Sequence, residues 1–170
     1  MNYINTYRPA EPGDYDALLK LLPQLADFDI PVRRFANNLW EGDAELLQSV
    51  LDKETQVTFA DVAINSSNEI SGLILVTMRA EMLSHQPSAH LEAIVVAPPA
   101  RGQGLGRRLL QRTEDRVKDL GATTLTLHVF ANNQRARSLY RSHGFDEEML
   151  RCICLLYTSD AADEEDSVDL

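Results

Sequence analysis

Apolar residues recur along this chain at helical spacing in some stretches and at alternate or consecutive positions in others. Helical spacing predicts one helix over residues 15–26, with Asp14 as its N-cap, and another over residues 44–51, with Asp43 as its N-cap. Residues 32–39 predict a shorter helical segment between these two helices.

Two further helices are predicted in the second half of the chain. Residues 105–120 carry an apolar stripe that ends before Gly121, and the residues predicted to point inward are Leu109, Leu110, Val117 and Leu120. The last helix is predicted to begin at Asn132 or Asn133 and to end before Gly144.

β-branched and aromatic residues between these helices predict the strands. The predicted strands cover residues 2–8, 56–64, 69–79, 89–96, 123–129 and 149–153. Turn residues 65–68 join two of them as a hairpin, so the sheet is predicted to be mixed and mostly antiparallel instead of doubly wound. The order β, α, α, β, β, β, α, β, α, β predicts an α/β fold of the α+β sandwich type, in which a single domain covers residues 1–153.

The composition is that of one compact domain. The 170 residues are 44% hydrophobic, enough for a core, and no run of about 18 apolar residues predicts a membrane span. The N-terminus lacks the basic and then apolar layout of a signal peptide. Cys152 and Cys154 lie two residues apart on a predicted strand and are not expected to pair with each other. These features predict a reducing, cytoplasmic location.

Residues 154–170 differ in character from the rest of the chain. They read CLLYTSDAADEEDSVDL, and CLLYTSDAADE is what a common sequencing adapter gives when it is translated in one frame. We interpret the segment as a non-native tail left by sequencing-adapter read-through, with a natural acidic tail as the alternative. The tail holds six acidic residues and no Lys or Arg, so its removal changes the net charge from −10 to −4. Such mild acidity argues against nucleic-acid binding.

A glycine-rich turn follows the predicted strand over residues 89–96. It reads Arg101-Gly102-Gln103-Gly104-Leu105-Gly106 and leads into the third predicted helix. Backbone N–H groups at a helix start bind phosphate, glycines let a pyrophosphate approach the backbone, and Arg101 adds a forked cation. The turn is not a P-loop, because Arg107-Arg108 stands where Lys-Ser/Thr is needed, and it does not fit the G-x-G-x-x-G dinucleotide fingerprint.

Two blocks of the sequence resemble the GCN5-related N-acetyltransferase (GNAT) family. Arg101, Gly104 and Gly106 reproduce its Q/R-x-x-G-x-G/A loop, and residues 133–145, NQRARSLYRSHGF, are similar to its N-x-x-A-x-x-L-Y-x-x-x-G-F helix. The resemblance implies a GNAT-type fold from about residue 4 to residue 153, with acetyl-CoA as co-substrate. The cofactor contacts that it implies are the backbone of Ile94, Val95 and Val96, the loop residues Arg101, Gly102, Gln103, Gly104, Leu105 and Gly106, and Asn133.

Acetyl transfer to an amine needs a base for the proton of the amine and an acid near the leaving thiolate. Glu92 is the candidate base, because a charge within so apolar a strand is costly unless it is paired or faces a cleft. His90 is predicted on the same face as Glu92 and Ile94 and is the alternative base, although a structural role suits it better. Tyr140 is the candidate acid, since the family's tyrosine at this position lies near the sulfur of CoA; a core position is the alternative.

The predicted function is an N-acetyltransferase that moves an acetyl group from acetyl-CoA to a primary amine of a small molecule, directly and in a ternary complex. A catalytically silent CoA-binding regulatory module and an acetyltransferase acting on a protein amine are the alternatives. Residues 25–43 and 78–88 are predicted to bind the acceptor. The acids that either attract a cationic acceptor or lie on the ordinary surface are Asp27, Asp29, Glu41 and Glu81. The histidines form no constellation with a cysteine, so no metal is predicted, and the family resemblance allows a homodimer.

Overall fold

The computed structural model describes residues 6–32, 34–154 and 156. Five strands and four α-helices follow one another along the chain. They are β1 (Thr6–Pro9), α1 (Tyr15–Leu21), α2 (Glu41–Leu51), β2 (Thr58–Ile64), β3 (Ile70–Ala80), β4 (Pro87–Val96), α3 (Leu105–Asp119), β5 (Thr124–Leu127) and α4 (Gln134–His143). Short 3₁₀ turns cover Pro12–Asp14, Leu22–Ala26, Ala36–Leu39 and Pro98–Ala100. Residues 2–5 of the first predicted strand and residues 157–170 of the tail lie outside the described part.

The five strands form one sheet in chain order, β1 to β5. The first three pairings are antiparallel, and β4 pairs with β5 in parallel, with α3 as the connection between them. The mixed, mostly antiparallel sheet is therefore confirmed. Parallel neighbours need a long crossover, and the amphipathic α3 supplies it.

Each face of the sheet is covered by a separate apolar cluster. On one face α1 and α2 pack through residues such as Leu18 and Leu47, both fully buried. On the other face α3 packs through Leu109 and Leu110, and α4 lies beside it. Gly72 of β3 allows the close approach of α3, because a Cβ there would lie 3.0 Å from a methyl group of Leu109.

Several local predictions are wrong, each for a physical reason. Asp43 is not the N-cap of α2, because the helix begins at Glu41, two residues before Asp43, and Trp40 occupies the cap position. The first helix ends at Leu21, since Pro23 has no N–H to donate, and a 3₁₀ turn continues to Ala26. Residue Leu120 lies beyond the end of α3 and is 56% exposed.

The predicted last strand over residues 149–153 is also wrong. The structure assigns no strand to these residues, and Leu150 is 89% exposed. A strand is stabilised by a neighbouring ladder and a buried face, and this segment has neither among the described residues. Cys152 and Cys154 are exposed free thiols, as expected from their spacing.

Candidate active site

A cleft opens between β4 and β5, where the two parallel strands separate. Pairing runs only from Ser88 opposite Thr124 to Leu91 opposite Leu127, whereas β4 continues to Val96. Beyond Leu91, this edge of β4 has no described strand beside it, and the cleft there has a volume of about 630 Å³. That volume suits a cofactor-sized ligand. The three predicted backbone contacts all line it: Ile94, Val95 and Val96.

The glycine-rich turn forms one end of the cleft and presents free backbone N–H groups. Gly102 and Gly104 have φ angles of 74° and 72°, in the left-handed region that glycine adopts readily. Within the described residues, the N–H groups of residues 102–106 donate no hydrogen bond, and they lead into the first turn of α3. Consecutive free N–H groups at a helix start form an anion-binding nest. The turn therefore has the form that a pyrophosphate requires.

Two members of the turn have roles other than the predicted approach to phosphate. Gly106 has ordinary helical geometry, and a Cβ there would lie 3.2 Å from Leu139, so this glycine allows α4 to pack against α3. Gln103 does not line the cleft; its side-chain amide donates to the Pro99 carbonyl at 3.1 Å. The backbone of both residues still belongs to the row of free N–H groups.

Arg101 lines the cleft, but its guanidinium is already bound by three protein acceptors. It donates to the Val96 carbonyl at 3.2 Å, to the Gln24 side chain at 2.9 Å and to the Asp27 carboxylate at 2.6 Å. Asp27 also accepts from Arg135 of α4 at 3.4 Å, and the two arginines lower the pKa of this carboxyl. Arg101 thus fastens the glycine-rich turn to the end of β4 and to the segment after α1.

Glu92 lies where β4 departs from regular pairing. Leu75 of β3 pairs with Ala93 and Val76 pairs with Leu91, so Glu92 is the extra residue of a β-bulge. Bulges redirect side chains and are frequent beside active sites. The half-buried Glu92 lines the cleft at the level where β5 ends.

The bulge also changes which residues share a face of β4. Leu91 and Ile94 both pack on the α3 side, whereas Ala93 packs on the α1 and α2 side. Because His90 is next to Leu91, it faces away from the α3 side. The prediction that His90 and Ile94 lie on one face is therefore wrong, since the extra residue reverses the alternation.

Asp43 of α2 lines the same cleft as Glu92, although its position in the sequence predicts only a helix cap. Its half-buried side chain makes no hydrogen bond or ion pair with any described residue. Burial and the charge of Glu92 raise the pKa of Asp43 to about 7. No signal in a single sequence pairs these carboxylates, because their elements meet only in the folded chain.

His90 is a structural histidine in this fold. Its ring is 4% exposed, its Nδ1 lies 2.7 Å from the Thr126 hydroxyl, and it does not line the cleft. Burial, with the nearby charges of Arg79 and His128, lowers the pKa of His90 to about 4, so the ring is neutral at pH 7. The adjacent His128, whose ring centroid is 4.7 Å away, does line the cleft and was assigned no role from the sequence.

Tyr140 and Asn133 both lie on α4 and line the cleft. The Asn133 side chain accepts from the Ala136 N–H at 3.1 Å, so its capping role is confirmed. The Tyr140 ring packs edge-on against Phe145, while no described residue is hydrogen-bonded to its hydroxyl. Burial raises the pKa of Tyr140 to about 12, so this phenol remains protonated over the ordinary pH range.

The remaining wall of the cleft comes from the segment between α1 and α2 and combines apolar residues with the polar Gln24, Arg34 and Asn38. Leu25, Phe28 and Leu39 line it, and the Phe28 ring lies 5.5 Å from that of Phe130. Part of the predicted acceptor segment, residues 25–43, therefore lines the cleft. No residue of the other predicted segment, 78–88, lines the cleft.

The four predicted acceptor acids are all outside the cleft lining and mostly occupied elsewhere. Asp27 binds the two arginines, Glu41 accepts from the Asn37 side chain, and Glu81 accepts from backbone N–H groups of its own turn. For Asp29, the described residues provide one hydrogen bond, which the Asn132 side chain donates to the backbone carbonyl and not to the carboxylate. Within the described residues, no helix is long and apolar enough to cross a membrane, and no group of three or more His, Cys, Asp or Glu is placed to hold a metal ion.

Comparison with known proteins finds relatives along most of the chain. The model of the acetyltransferase (GNAT) family matches residues 24–145. The uncharacterized N-acetyltransferase YhfO of Bacillus subtilis is 29% identical over 141 residues, which are 83% of this chain and 89% of YhfO. The mycothiol acetyltransferase of Renibacterium salmoninarum is 29% identical over 114 residues, 65% of this chain but 34% of that protein. The ribosomal protein bS18-alanine N-acetyltransferase of Escherichia coli is 44% identical over 63 residues, 37% of this chain and 43% of that protein.

Solved structures share the fold over nearly their whole length. A putative acetyl transferase from Pyrococcus furiosus has a TM-score of 0.72 at 21% identity, covering 90% of this chain and 100% of that one. The structure of AAC(6')-Iy in complex with the bisubstrate analog CoA-S-monomethyl-acetylneamine has a TM-score of 0.66 at 18% identity, covering 91% and 99%. At these identities the likeness is one of fold, and it confirms the predicted GNAT-type architecture.

Proposed function

Because the chain belongs to the acetyltransferase (GNAT) family, we propose that it transfers the acetyl group of acetyl-CoA to a primary amine of a small molecule, directly and in a ternary complex. Its family and its named relatives make it an acetyl-CoA-dependent N-acetyltransferase. A small acceptor is supported by the limited volume, about 630 Å³, of the cleft between β4, β5 and the segment after α1.

One observation carries the cofactor half of the proposal: the row of free N–H groups over residues 102–106 at the start of α3. These groups would hold the pyrophosphate, and the unpaired edge of β4 from Ile94 to Val96 would bond the pantetheine chain and orient the acetyl oxygen. Arg101 is assigned a double role, since it fixes the turn through Asp27 and retains N–H groups for phosphate.

Glu92 is proposed as the base. An amine attacks only when it is neutral, and the Glu92 carboxylate would take the proton of the ammonium through a water molecule. Its position at the bulge, beside the free edge of β4, supports this role. His90 is a poor alternative, because it is buried away from the cleft with its Nδ1 against Thr126.

Tyr140 is proposed as a hydrogen-bond donor to the leaving sulfur instead of a full proton donor. A thiol has a pKa of about 8.5, so complete transfer from a phenol whose pKa is raised to about 12 is unfavourable. A donated hydrogen bond stabilises the thiolate without that transfer.

Calorimetric titration of acetyl-CoA into the full chain, with NADH and ATP as controls, tests the proposal. We expect one-to-one binding that is specific for the CoA thioester. Gly102→Asp should weaken binding by about 100-fold or more, because it places a carboxylate against the pyrophosphate. Gly121→Asp is the matched control: both glycines have a positive φ and open space around the position of a Cβ, but Gly121 lies at the far end of α3.

Equal affinity of Gly102→Asp and wild type would mean that the turn does not bind the pyrophosphate. Tight binding of acetyl-CoA without turnover of any amine would instead favour a catalytically silent CoA-binding module. In that case Glu92→Gln and Tyr140→Phe would not change the rate measured with any amine, because wild type itself would show no turnover.

A protein amine is the second candidate acceptor, and one observation favours it. The 63-residue alignment with ribosomal protein bS18-alanine N-acetyltransferase has the higher identity among the three relatives, 44% against 29%. Faster acetylation of a peptide with an N-terminal alanine than of small diamines would support this acceptor class over the first.

A further inference from the structure

The cleft divides into two halves of opposite charge. One half holds the free N–H groups of residues 102–106 together with Arg101, Arg107 and Arg135. The other half holds the carboxylates of Asp43 and Glu92. The first half suits an anionic cofactor, so the second is left for the acceptor, and its charge favours a cation.

In the described part of the chain, Asp43 has no partner that explains its place in this half. Among the described residues its carboxylate has no hydrogen bond and no ion pair. Two other half-buried acids each bind an arginine: Asp14 binds Arg8 at 2.6 Å, and Asp61 binds Arg116 at 2.7 Å. A half-buried carboxylate near a second one is unfavourable unless a cation joins them or one of them takes up a proton.

The charged groups around Asp43 do not supply that cation. The lining of the cleft includes Arg34, which is exposed, and His128 of the β5 side. The effects on the pKa of Asp43 are burial and the negative charge of Glu92, both of which raise it, and no cation lowers it. Within the residues that the structure describes, the carboxylate therefore lacks a counter-ion.

We propose that Asp43 determines acceptor specificity by binding a second, protonated amino group of the acceptor while Glu92 serves the amine that is acetylated. This inference rests on the proposed function and narrows its acceptor to the class of diamines and polyamino compounds. The apolar wall of Leu25, Phe28 and Leu39 fits the carbon chain between the two nitrogens. The second ammonium of a diamine gives Asp43 a counter-ion, whereas a monoamine bound at Glu92 leaves Asp43 without one.

The test compares 1,5-diaminopentane with 1-aminopentane, which share a carbon chain and differ by one amino group. Release of CoA thiol gives kcat/KM for each amine with wild type, Asp43→Asn and the control Glu45→Gln. Glu45 is an exposed acid on the same helix and is outside the cleft lining. Binding of acetyl-CoA to each variant is measured in parallel by calorimetry.

We expect wild type to prefer the diamine, and Asp43→Asn to lose about 10- to 100-fold more on the diamine than on the monoamine, the size expected of a charge-assisted hydrogen bond. Glu45→Gln should retain the wild-type preference. Two results would overturn the role of Asp43 without affecting the proposed function. One is an equal loss of kcat/KM on both amines in Asp43→Asn. The other is a wild type that binds acetyl-CoA but shows no preference for the diamine, or no turnover of either amine. Failure of wild type to bind acetyl-CoA would instead overturn the proposed function.

Discussion

Replacing Asp43 by Asn should stabilise the protein at alkaline pH. The pKa of Asp43 is raised from 3.8 to about 7 by burial and by the charge of Glu92. Between these two values the folded state binds a proton that the unfolded state has released. The free energy of unfolding therefore falls as the pH rises through this window, and the loss is complete above pH 7. Asn cannot ionise, so the variant escapes this loss.

The magnitude follows from the difference between the two pKa values. A difference of about three corresponds to about 4 kcal/mol at full burial. Solvent reaches part of the side chain and screens the repulsion, so we expect ~1–2 kcal/mol in favour of Asp43→Asn at pH 8.5. In a domain of this size that is a rise in Tm of about 3–6 °C. At pH 5.5 about half of the window between the two pKa values has been crossed, so the gain from Asp43→Asn should be about half of that at pH 8.5, and it should vanish only below the unfolded pKa of 3.8.

Urea denaturation at pH 5.5, 7.0 and 8.5 measures this difference. Trp40 is the single tryptophan and occupies the N-cap position of α2, so its fluorescence reports on the helix that carries Asp43. His90, whose pKa is lowered to about 4, makes wild type less stable as the pH falls below about 6.5, but it is present in both proteins and cancels. Glu45→Gln should show no such pH-dependent gain.

Two results would refute the reasoning. The first is a difference between Asp43→Asn and wild type that does not change between pH 5.5 and 8.5, which would mean that Asp43 does not titrate in this window. The second is a destabilised variant at pH 8.5, which would show that the carboxylate has a stabilising partner within the chain.

Three further predictions concern the core and the chemistry. Gly72→Ala should lower the free energy of unfolding by ~1–3 kcal/mol by urea denaturation, because its Cβ would crowd Leu109 at 3.0 Å and the Val95 carbonyl at 3.3 Å; an unchanged midpoint would mean that α3 can shift freely. Tyr140→Phe should lower kcat about 10- to 100-fold with little change in KM, and wild type should show no loss of rate from this phenol below about pH 10; a normal kcat would exclude the hydroxyl from the reaction. Glu92→Gln should lower kcat about 100- to 10,000-fold, the usual contribution of a general base, and an unchanged kcat would assign the base elsewhere.

The order of elements and most of the sheet follow from local sequence signals. The run of β-branched residues before Pro98, the turn at residues 65–68 and the leucine stripes each specify an element by their own chemistry. The glycine-rich turn is predictable for the same reason, because Gly102 and Gly104 allow positive φ within a short segment. The ends of elements depend on tertiary neighbours, so the predicted last strand fails where no partner strand lies beside it.

The site is less predictable, because its side chains come together across long separations. Arg101 and Asp27 are 74 residues apart, and nothing in the spacing of either residue indicates that they pair. The bulge at Glu92 depends on the register between β3 and β4, which alternation within one strand does not reveal. Asp43 shows the same limit: an acid near a helix start predicts a cap, and only the fold brings it to a second carboxylate.

The two halves of the cleft also explain why Arg101 is bound to protein acceptors. An arginine without protein partners, placed between the glycine-rich turn and the carboxylates, could pair either with the cofactor phosphate or with Asp43 and Glu92, the acids proposed to bind the acceptor. Asp27 and Gln24 hold its guanidinium on the cofactor side, and Asp27 holds Arg135 there as well. The acceptor half thereby keeps its negative charge when the cofactor half is filled. An anionic co-substrate and the proposed cationic acceptor could then occupy one cleft together, as the proposed direct transfer in a ternary complex requires.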